Sequence, residues 1–373
     1  MGASKYVVVG AGLAGAATAW QLARRGHEVT ILERAVPANP AGSSHGSARI
    51  FRYAYSTPFY TDLVVKAKVG WDELADLGGA PLITPTGAVD YGSTRDPESL
   101  ARVMSTVGVD HELLSATDAK SRWPGFNFDT PVLWHAGAGV IDAERAVTTM
   151  VRLAEASGAQ LLTDWTVVGV TELAGGYRLT SSTGEVFDAE HVILSAGGWL
   201  PDLLADLPLP AGFLASVPPL EISQEQAFHF PYRDAEEPFP TFIHKMEGIQ
   251  TYGLPGGRDA EFRGQKVAEY RGGKRMTSAS QQSGVVDPAN RDRVVDYVKR
   301  YLPVLVPEPY AETTCLFTMT PSEDFIIDRA DNITILSPCS GHGAKFAPLL
   351  GELAADLASG AGSVPDQFRL ARA

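Results

Sequence analysis

The chain opens on a short run of apolar, mostly β-branched residues, Lys5–Val9, without polar alternation. That is the pattern of a strand covered on both faces of a parallel sheet. Gly10-Ala11-Gly12-Leu13-Ala14-Gly15 follows at once. Ala17, Trp20 and Leu22 then carry a helical pattern as far as Gly26, a residue suited to closing a helix. Glu28–Glu33 is a second apolar strand that ends on an acid. Further strand signals fall on Gln160–Val170, Tyr177–Thr180, Glu312–Thr318 and Ile333–Leu336, and on Val192–Gly198, which ends in small residues. Ser340-Gly-His-Gly-Ala-Lys345 comes next, and a helical pattern runs from Phe346 to about Leu357. Tyr91–Leu114 and Ser223–Tyr270 are alternating and turn-rich, unlike the apolar strand patterns elsewhere.

The opening segment has the parts of a dinucleotide-binding βαβ unit. The first glycine permits the tight turn, the second lets backbone approach a pyrophosphate, and the third lets the helix pack on the strand. The helix start offers N–H groups and a partial positive charge to a diphosphate. Glu33, 23 positions after Gly10, is placed to accept hydrogen bonds from a ribose diol. NAD and FAD enzymes share this unit. Two more loops with small residues, after Val192–Leu194 and after Ile333–Leu336, would face the same ligand. Three such loops spread over the chain favour a long, permanently held dinucleotide, FAD, over an exchanging nicotinamide.

Composition narrows the class. The 373 residues are 45% hydrophobic and 20% charged, a globular composition with room for about two domains. A net charge of -13 argues against nucleic acid, which needs clustered cations. No stretch of about 18 apolar residues suggests a membrane span, so no membrane partner is expected. The apolar N-terminal segment reads as a strand and helix and not as a signal peptide, and a cytoplasmic enzyme is expected. Cys315 and Cys339 are the only cysteines, which excludes a disulfide framework and four-thiolate clusters. The eight histidines show no metal-binding spacing, so no metal is expected. No long amphipathic seam demands a partner subunit, leaving a monomer as the default.

Taken together, the glycine loop with Glu33, Ser44-His-Gly-Ser-Ala-Arg-Ile-Phe-Arg-Tyr-Ala-Tyr55, Arg122-Trp-Pro-Gly125, Ser195-Ala-Gly-Gly-Trp199, Cys315 with Asp324-Phe-Ile-Ile-Asp328, and Ser340–Phe346 form a specific set. The chain resembles, over essentially its whole length, the amine oxidases of the D-amino-acid oxidase superfamily, in the group of monomeric sarcosine oxidase and N-methyltryptophan oxidase. The resemblance implies an α/β protein in which a Rossmann-like FAD-binding domain (1–82, 141–216 and 316–373) is interleaved with an α+β, antiparallel-sheet substrate domain (83–140 and 217–315). It implies oxidation of a secondary (N-methyl) or cyclic amino acid at its C–N bond, with an imine product and O2 reduced to H2O2. A biosynthetic ring imino-acid desaturase, or a flavin dehydrogenase with an acceptor other than oxygen, is the alternative.

Carried over residue by residue, the resemblance places Gly10, Gly12, Leu13, Ala14, Gly15, Glu33, Arg34, Ser44, His45 and Arg49 with the cofactor. Val167, Ala196, Gly197, Trp199, Cys315, Gly341, Gly343 and Lys345 join them. Cys315 falls at the position where the family attaches flavin through a thioether; as a residue alone it fits a buried structural thiol equally. Cys339 does not match that position and reads as packing. Arg52 and Lys345 match the clamp on the substrate carboxylate, for which the bland alternative is a structural salt bridge. Lys266 matches the oxygen-activating lysine, although Arg263, Arg271, Lys274 and Arg275 allow a solvated basic hairpin. His45 and Arg49 would be positive groups favouring reduced flavin, and His342 a spacer that fixes backbone. Tyr252, Tyr270 and Met246 are candidates for the pocket wall. Tyr270 stands where sarcosine oxidase has a histidine and Phe317 where it has a tyrosine, so the substrate is expected to differ from sarcosine.

Overall fold

The computed structural model describes residues 2–234 and 239–370. Strand Gly2–Val9 lies at the centre of an eight-stranded sheet, parallel to Val29–Leu32 on one side and Val186–Leu194 on the other. Gln160–Leu162 extends the parallel set beyond Val29–Leu32, and Ile333–Ser337 pairs in parallel with the end of Val186–Leu194. The strands therefore deliver their C-terminal ends, Val9, Leu32, Leu194 and Ser337, to one edge of the sheet, the edge where α/β sheets take ligands.

Helices Leu13–Arg24, Ala143–Ala156 and Ala347–Ser359 cover one face of this sheet, burying Ala16, Ala19, Trp20, Val147, Met150 and Leu350 with Val8 and Ile31. Gly26, at φ +83°, closes the first helix by donating to Ala23 O at 2.9 Å. The strands Val167–Leu173 and Gly176–Ser181 extend the sheet antiparallel beyond Val186–Leu194, and Val170, Tyr177 and Leu179 pack with Val7, Val9, Leu200, Leu203 and Phe213 in a second core. The expected Gln160–Val170 strand is two strands, split where Trp165 turns inward beside Leu32.

A second sheet has nine strands, antiparallel except where Thr241–Lys245 runs parallel to Ala88–Tyr91. Strand Ala311–Met319, which spans the 315/316 divide expected from the sequence, pairs along its whole length with Glu221–Phe230. One face packs Phe228, Phe230, Phe242 and Val267 against Val294, Tyr297, Val298 and Tyr301 of helix Pro288–Tyr301. Period-two alternation turns Ile243, Lys245, Tyr252, Leu254 and Lys266 to the opposite face. A small third sheet of Arg49–Phe51, Ile83–Pro85 and Gly139–Ile141 joins the two large ones and carries Arg49 and Arg52 to the space between them.

Tyr91–Leu114 mixes strand with helix. Its middle is helix Pro97–Val107, because Asp96 caps it by accepting from Ser99 N at 3.1 Å and Pro97 sits in the first turn. Leu100, Ala101 and Met104 then form its buried face. The capping signal outweighed the apparent alternation.

The first and last helices meet almost without side chains. A Cβ added at Gly351 would lie 2.4 Å from Ala17 Cβ and 2.5 Å from Ala17 C. Gly351→Val should therefore destabilise the protein by about 1–3 kcal/mol, the usual cost of overpacking. An unchanged urea midpoint would show that the two helices are free to separate.

Candidate active site

A single cavity of about 800 Å3 runs between the two large sheets. One part is lined by Glu33, Arg34, Trp165, Val167 and Trp199, the middle by Gly10, Gly12, Leu13, Ala14 and Ser44, and the rest by Arg49, Arg52, Lys266, Cys315, Gly341 and Lys345. Segments far apart in the chain thus meet in one space.

The glycine loop is fixed by its own neighbours. Glu33 is 3% exposed and accepts from Ala11 N at 2.6 Å, from Ala35 N at 3.0 Å and from Asn39 Nδ2 at 3.1 Å. Ser44 Oγ accepts from Leu13 N at 3.0 Å. Gly10 has φ +99°, and a Cβ there would come within 2.7 Å of Ser195 O. Gly15 does not line the cavity; a Cβ on it would lie 2.0 Å from Gly10 O, so its place is the close helix–strand contact. Beyond the loop, the Arg34 guanidinium stacks 4.0 Å from the Trp199 ring. An open glycine-lined turn, a helix start and a fixed buried acid at the end of the second strand suit the diphosphate and ribose of a dinucleotide.

Gly343–Phe346 forms one 3-10 turn before helix Ala347–Ser359, and Gly343 N donates to Cys339 O at 3.0 Å. Gly341, at φ +69°, packs beside Phe317 and Tyr270. Cys339 lines the cavity, and burial pushes its thiol up to about 11, so it stays protonated. Burial also raises the Cys315 thiol, against the pull of Arg49 and Lys266.

Lys266 is 6% exposed, and burial, then the charge of Arg49, bring its ammonium down to about 8. Asp259, held through Ser47, provides the nearby negative charge. The basic residues around it in sequence point elsewhere: Arg271 and Arg275 pair with Glu221, and Arg263 with Glu261. The alternative of a solvated hairpin does not hold for Lys266.

Arg52 and Lys345 come together at Tyr55, whose ring lies 4.8 Å from the Arg52 guanidinium and 5.6 Å from Lys345 Nζ. Lys345 is 4% exposed, donates to His342 O at 2.8 Å, and is held well below its ordinary pKa by burial and then by Arg52. Among the described residues neither cation forms an ion pair, so the structural salt-bridge alternative fails here too. His342 bridges Tyr55 Oη, at 2.9 Å, and the Glu323 carbonyl, at 2.9 Å, and burial brings it down to about 3. It is a neutral spacer that fixes two walls.

The expectation of a positive His45 is corrected. Burial, with Arg49 and Lys266 nearby, brings His45 down to about 4, so it is neutral at pH 7, and it does not line the cavity. Met246 also lies outside the lining of this cavity, whereas Tyr252, Tyr270 and Phe317 line it. Tyr270 Oη donates to Glu323 Oε1 at 3.1 Å.

Several wall residues had no motif to reveal them. Tyr55 lay within the quoted 44–55 stretch but carried no assigned role. Arg95 is paired with Asp90 at 2.7 Å and donates to Ala54 O at 3.1 Å. Lys245 and Glu323 complete this end. Period-two alternation around Tyr252 could have found Lys245 once the hairpin register was known. Among the described residues no three His, Cys, Asp or Glu side chains cluster as metal ligands, and no helix is long and apolar enough to cross a membrane.

Fold and cavity together define a dinucleotide-binding flavoprotein. The chain belongs to the DAO family of FAD-dependent oxidoreductases, which it matches over residues 5–357. N-methyl-L-tryptophan oxidase from Yersinia pseudotuberculosis is 29% identical over 98% of both chains. The open form of NikD, an amino acid oxidase essential for nikkomycin biosynthesis, is 25% identical over 99% of this chain and 98% of that one, with a TM-score of 0.87. Glycine oxidase from Geobacillus kaustophilus shares the fold at 18% identity and a TM-score of 0.79 over the full length of both.

Buried neutral histidines make stability depend on pH. Burial, the leading cause each time, brings His45, His135 and His229 down to about 4. Between the ordinary histidine pKa of about 6.5 and that value, the unfolded chain binds protons that the folded one does not, so stability falls as pH falls. Each such histidine should cost about 1–2 kcal/mol between pH 7 and pH 5. His229→Gln should lessen the acid loss of urea stability by that amount. An identical loss in variant and wild type would contradict the assignment.

Proposed function

We propose that the protein is an FAD-dependent oxidase of secondary (N-methyl) or cyclic amino acids, and that O2 is its electron acceptor. The observation that carries this reading is the Arg52–Lys345 pair, two unpaired cations over one tyrosine ring in the cavity wall. Two such cations on separate segments suit a single carboxylate, with the guanidinium fork setting its plane. A carboxylate arriving there restores the charge that burial disfavours on Lys345.

A flavin held along Gly10, Gly12, Glu33 and Cys315 would supply the acceptor for a hydride equivalent from the carbon beside the substrate nitrogen. The chain's own residues supply orientation and field. Arg52 and Lys345 hold the carboxylate, while Tyr252, Tyr270 and Phe317 close the wall around the rest of the substrate. No side chain in this wall is required as a base if the amine arrives neutral, so positioning carries most of the assistance. The imine product is hydrolysed by water; an N-methyl substrate then yields formaldehyde and a cyclic one does not. Lys266 provides a fixed positive charge, beside Arg49, for the anion that forms as oxygen is reduced. Cys315, on a strand in the cavity wall, is the proposed covalent anchor of the flavin. The protein is proposed to act as a cytoplasmic monomer.

The test is a peroxide-coupled screen over N-methyl and cyclic amino acids, with formaldehyde assayed in parallel. Peroxide is expected from at least one member; turnover only with an artificial acceptor would reject oxygen as the acceptor. Cys315→Ala should release its yellow cofactor into the supernatant on acid precipitation, whereas the wild-type colour stays with the pellet. Lys345→Met should raise KM about 10–100-fold with little change in reoxidation. Lys266→Met should slow reoxidation and spare KM, and equal reoxidation rates would refute its role.

A further inference from the structure

Lys245 is a cavity cation for which the proposed reaction has no use and which, unlike Arg95, has no ion-pair partner among the described residues. It ends strand Thr241–Lys245, and alternation turns it, with Ile243, into the cavity while Phe242 and His244 enter the core. Its Nζ lies 5.2 Å from the Tyr270 ring and makes no hydrogen bond or ion pair among the described residues.

Its neighbours are already engaged. Asp90 is taken by Arg95, and Glu323 accepts from Tyr270 Oη and lies 3.6 Å from Arg271. Four cations, Arg52, Arg95, Lys245 and Lys345, line this end of the cavity; of the acids, Asp90 lies behind the wall on Arg95, and Glu323 and Asp324 line the cavity, Asp324 accepting from Tyr60 Oη at 2.7 Å and from Gln367 Nε2 at 2.5 Å. The histidines there add no charge, since His135 and His342 are held at about 4 and about 3. One substrate carboxylate at Arg52 and Lys345 leaves Lys245 still without an ion-pair partner among the described residues, with Glu323 and Asp90 acting on it only from a distance. Burial, then Arg95 and Arg52, bring Lys245 down to about 8, as expected of a cation in surplus.

We infer that the substrate carries a second carboxylate, on its side chain, and that Lys245 is the specificity residue that receives it at the Tyr270 wall. The inference rests on the oxidase reading above and narrows it to acidic amino acids. The shared wall ties the two ends together: Tyr55 contacts His342, His342 contacts Glu323, and Glu323 contacts Tyr270 beneath Lys245. The separation of the two carboxylates is therefore set by packed side chains.

The test uses the flavin-loaded protein and matched pairs that differ in one charge. Inert glutarate and its monoamide are titrated by the perturbation of flavin absorbance, and N-methyl-L-glutamate is compared with N-methyl-L-glutamine for kcat/KM. The diacid should be preferred at least about tenfold in both measurements. Lys245→Met should lower that preference about 10–100-fold, and Lys245→Arg should keep most of it. Equal binding of glutarate and its monoamide, or a preference unchanged in Lys245→Met, overturns the inference. Diacid-selective binding without turnover of any N-methyl or cyclic amino acid would instead overturn the oxidase reading.

Discussion

The site depends on positive charge kept in a space with little water and few counter-ions. Lys266 sits by Arg49, and Lys345 by Arg52, and both lysines are nearly inaccessible. Leaving such charges unpaired costs several kcal/mol each, and a flexible wall would relieve that by swinging them into solvent. The wall is instead sheet. Lys266 lies mid-strand between Leu254 and His229, and Lys345 sits in the turn that begins helix Ala347–Ser359. An anion arriving beside these cations would offset that cost.

A chain of polar groups fixes the Arg52–Lys345 end of the cavity. Tyr55, His342, Glu323 and Tyr270 are joined by hydrogen bonds, and His342 cannot take a proton near neutral pH. A charged imidazole there would repel Arg52 and Lys345; a neutral one fixes Tyr55 beneath them. The aromatic cluster of Tyr60, Phe325, Phe346 and Phe368 packs behind this relay and keeps it dry. The same burial that lowers the lysines thus also keeps the histidine uncharged.

Much of this was legible in sequence because the cofactor end is built from local units. The turn at Gly10, the helix after Gly12 and the acid at Glu33 lie within one βαβ unit, where spacing carries the geometry. The substrate end is assembled from distant strands. Nothing local connects Lys245 with Tyr270, or Arg95 with Arg52; the first meeting depends on antiparallel register, with Lys245 opposite Gln250 and Tyr270 N donating to Gln250 O at 2.7 Å, and the second on Arg95 reaching Ala54 O. Helix Pro97–Val107 is marked in sequence only by its Asp96-Pro97 start, inside a stretch whose alternation hides it. The charge of His45 could not be read at all, since it is set by burial and by Arg49 and Lys266.

The division of labour among the cations follows from their position on the sheet. Lys266 stands opposite Leu254, two residues along from Tyr252, while Lys245 stands opposite Gln250, two residues the other way. Tyr252 therefore separates them on one face of the hairpin. Lys266 shares its environment with Arg49 and Cys315, and Lys245 shares its own with Arg52, Arg95 and Glu323. A single pool of positive charge would let a substrate carboxylate settle wherever attraction was greatest, including beside Lys266. Splitting it across Tyr252 makes two separate cationic ends, which on the proposed reading leaves the Lys266 side to the acceptor and the other side to the substrate. Selectivity for where an anion binds then comes from the hairpin register and not from differences in charge.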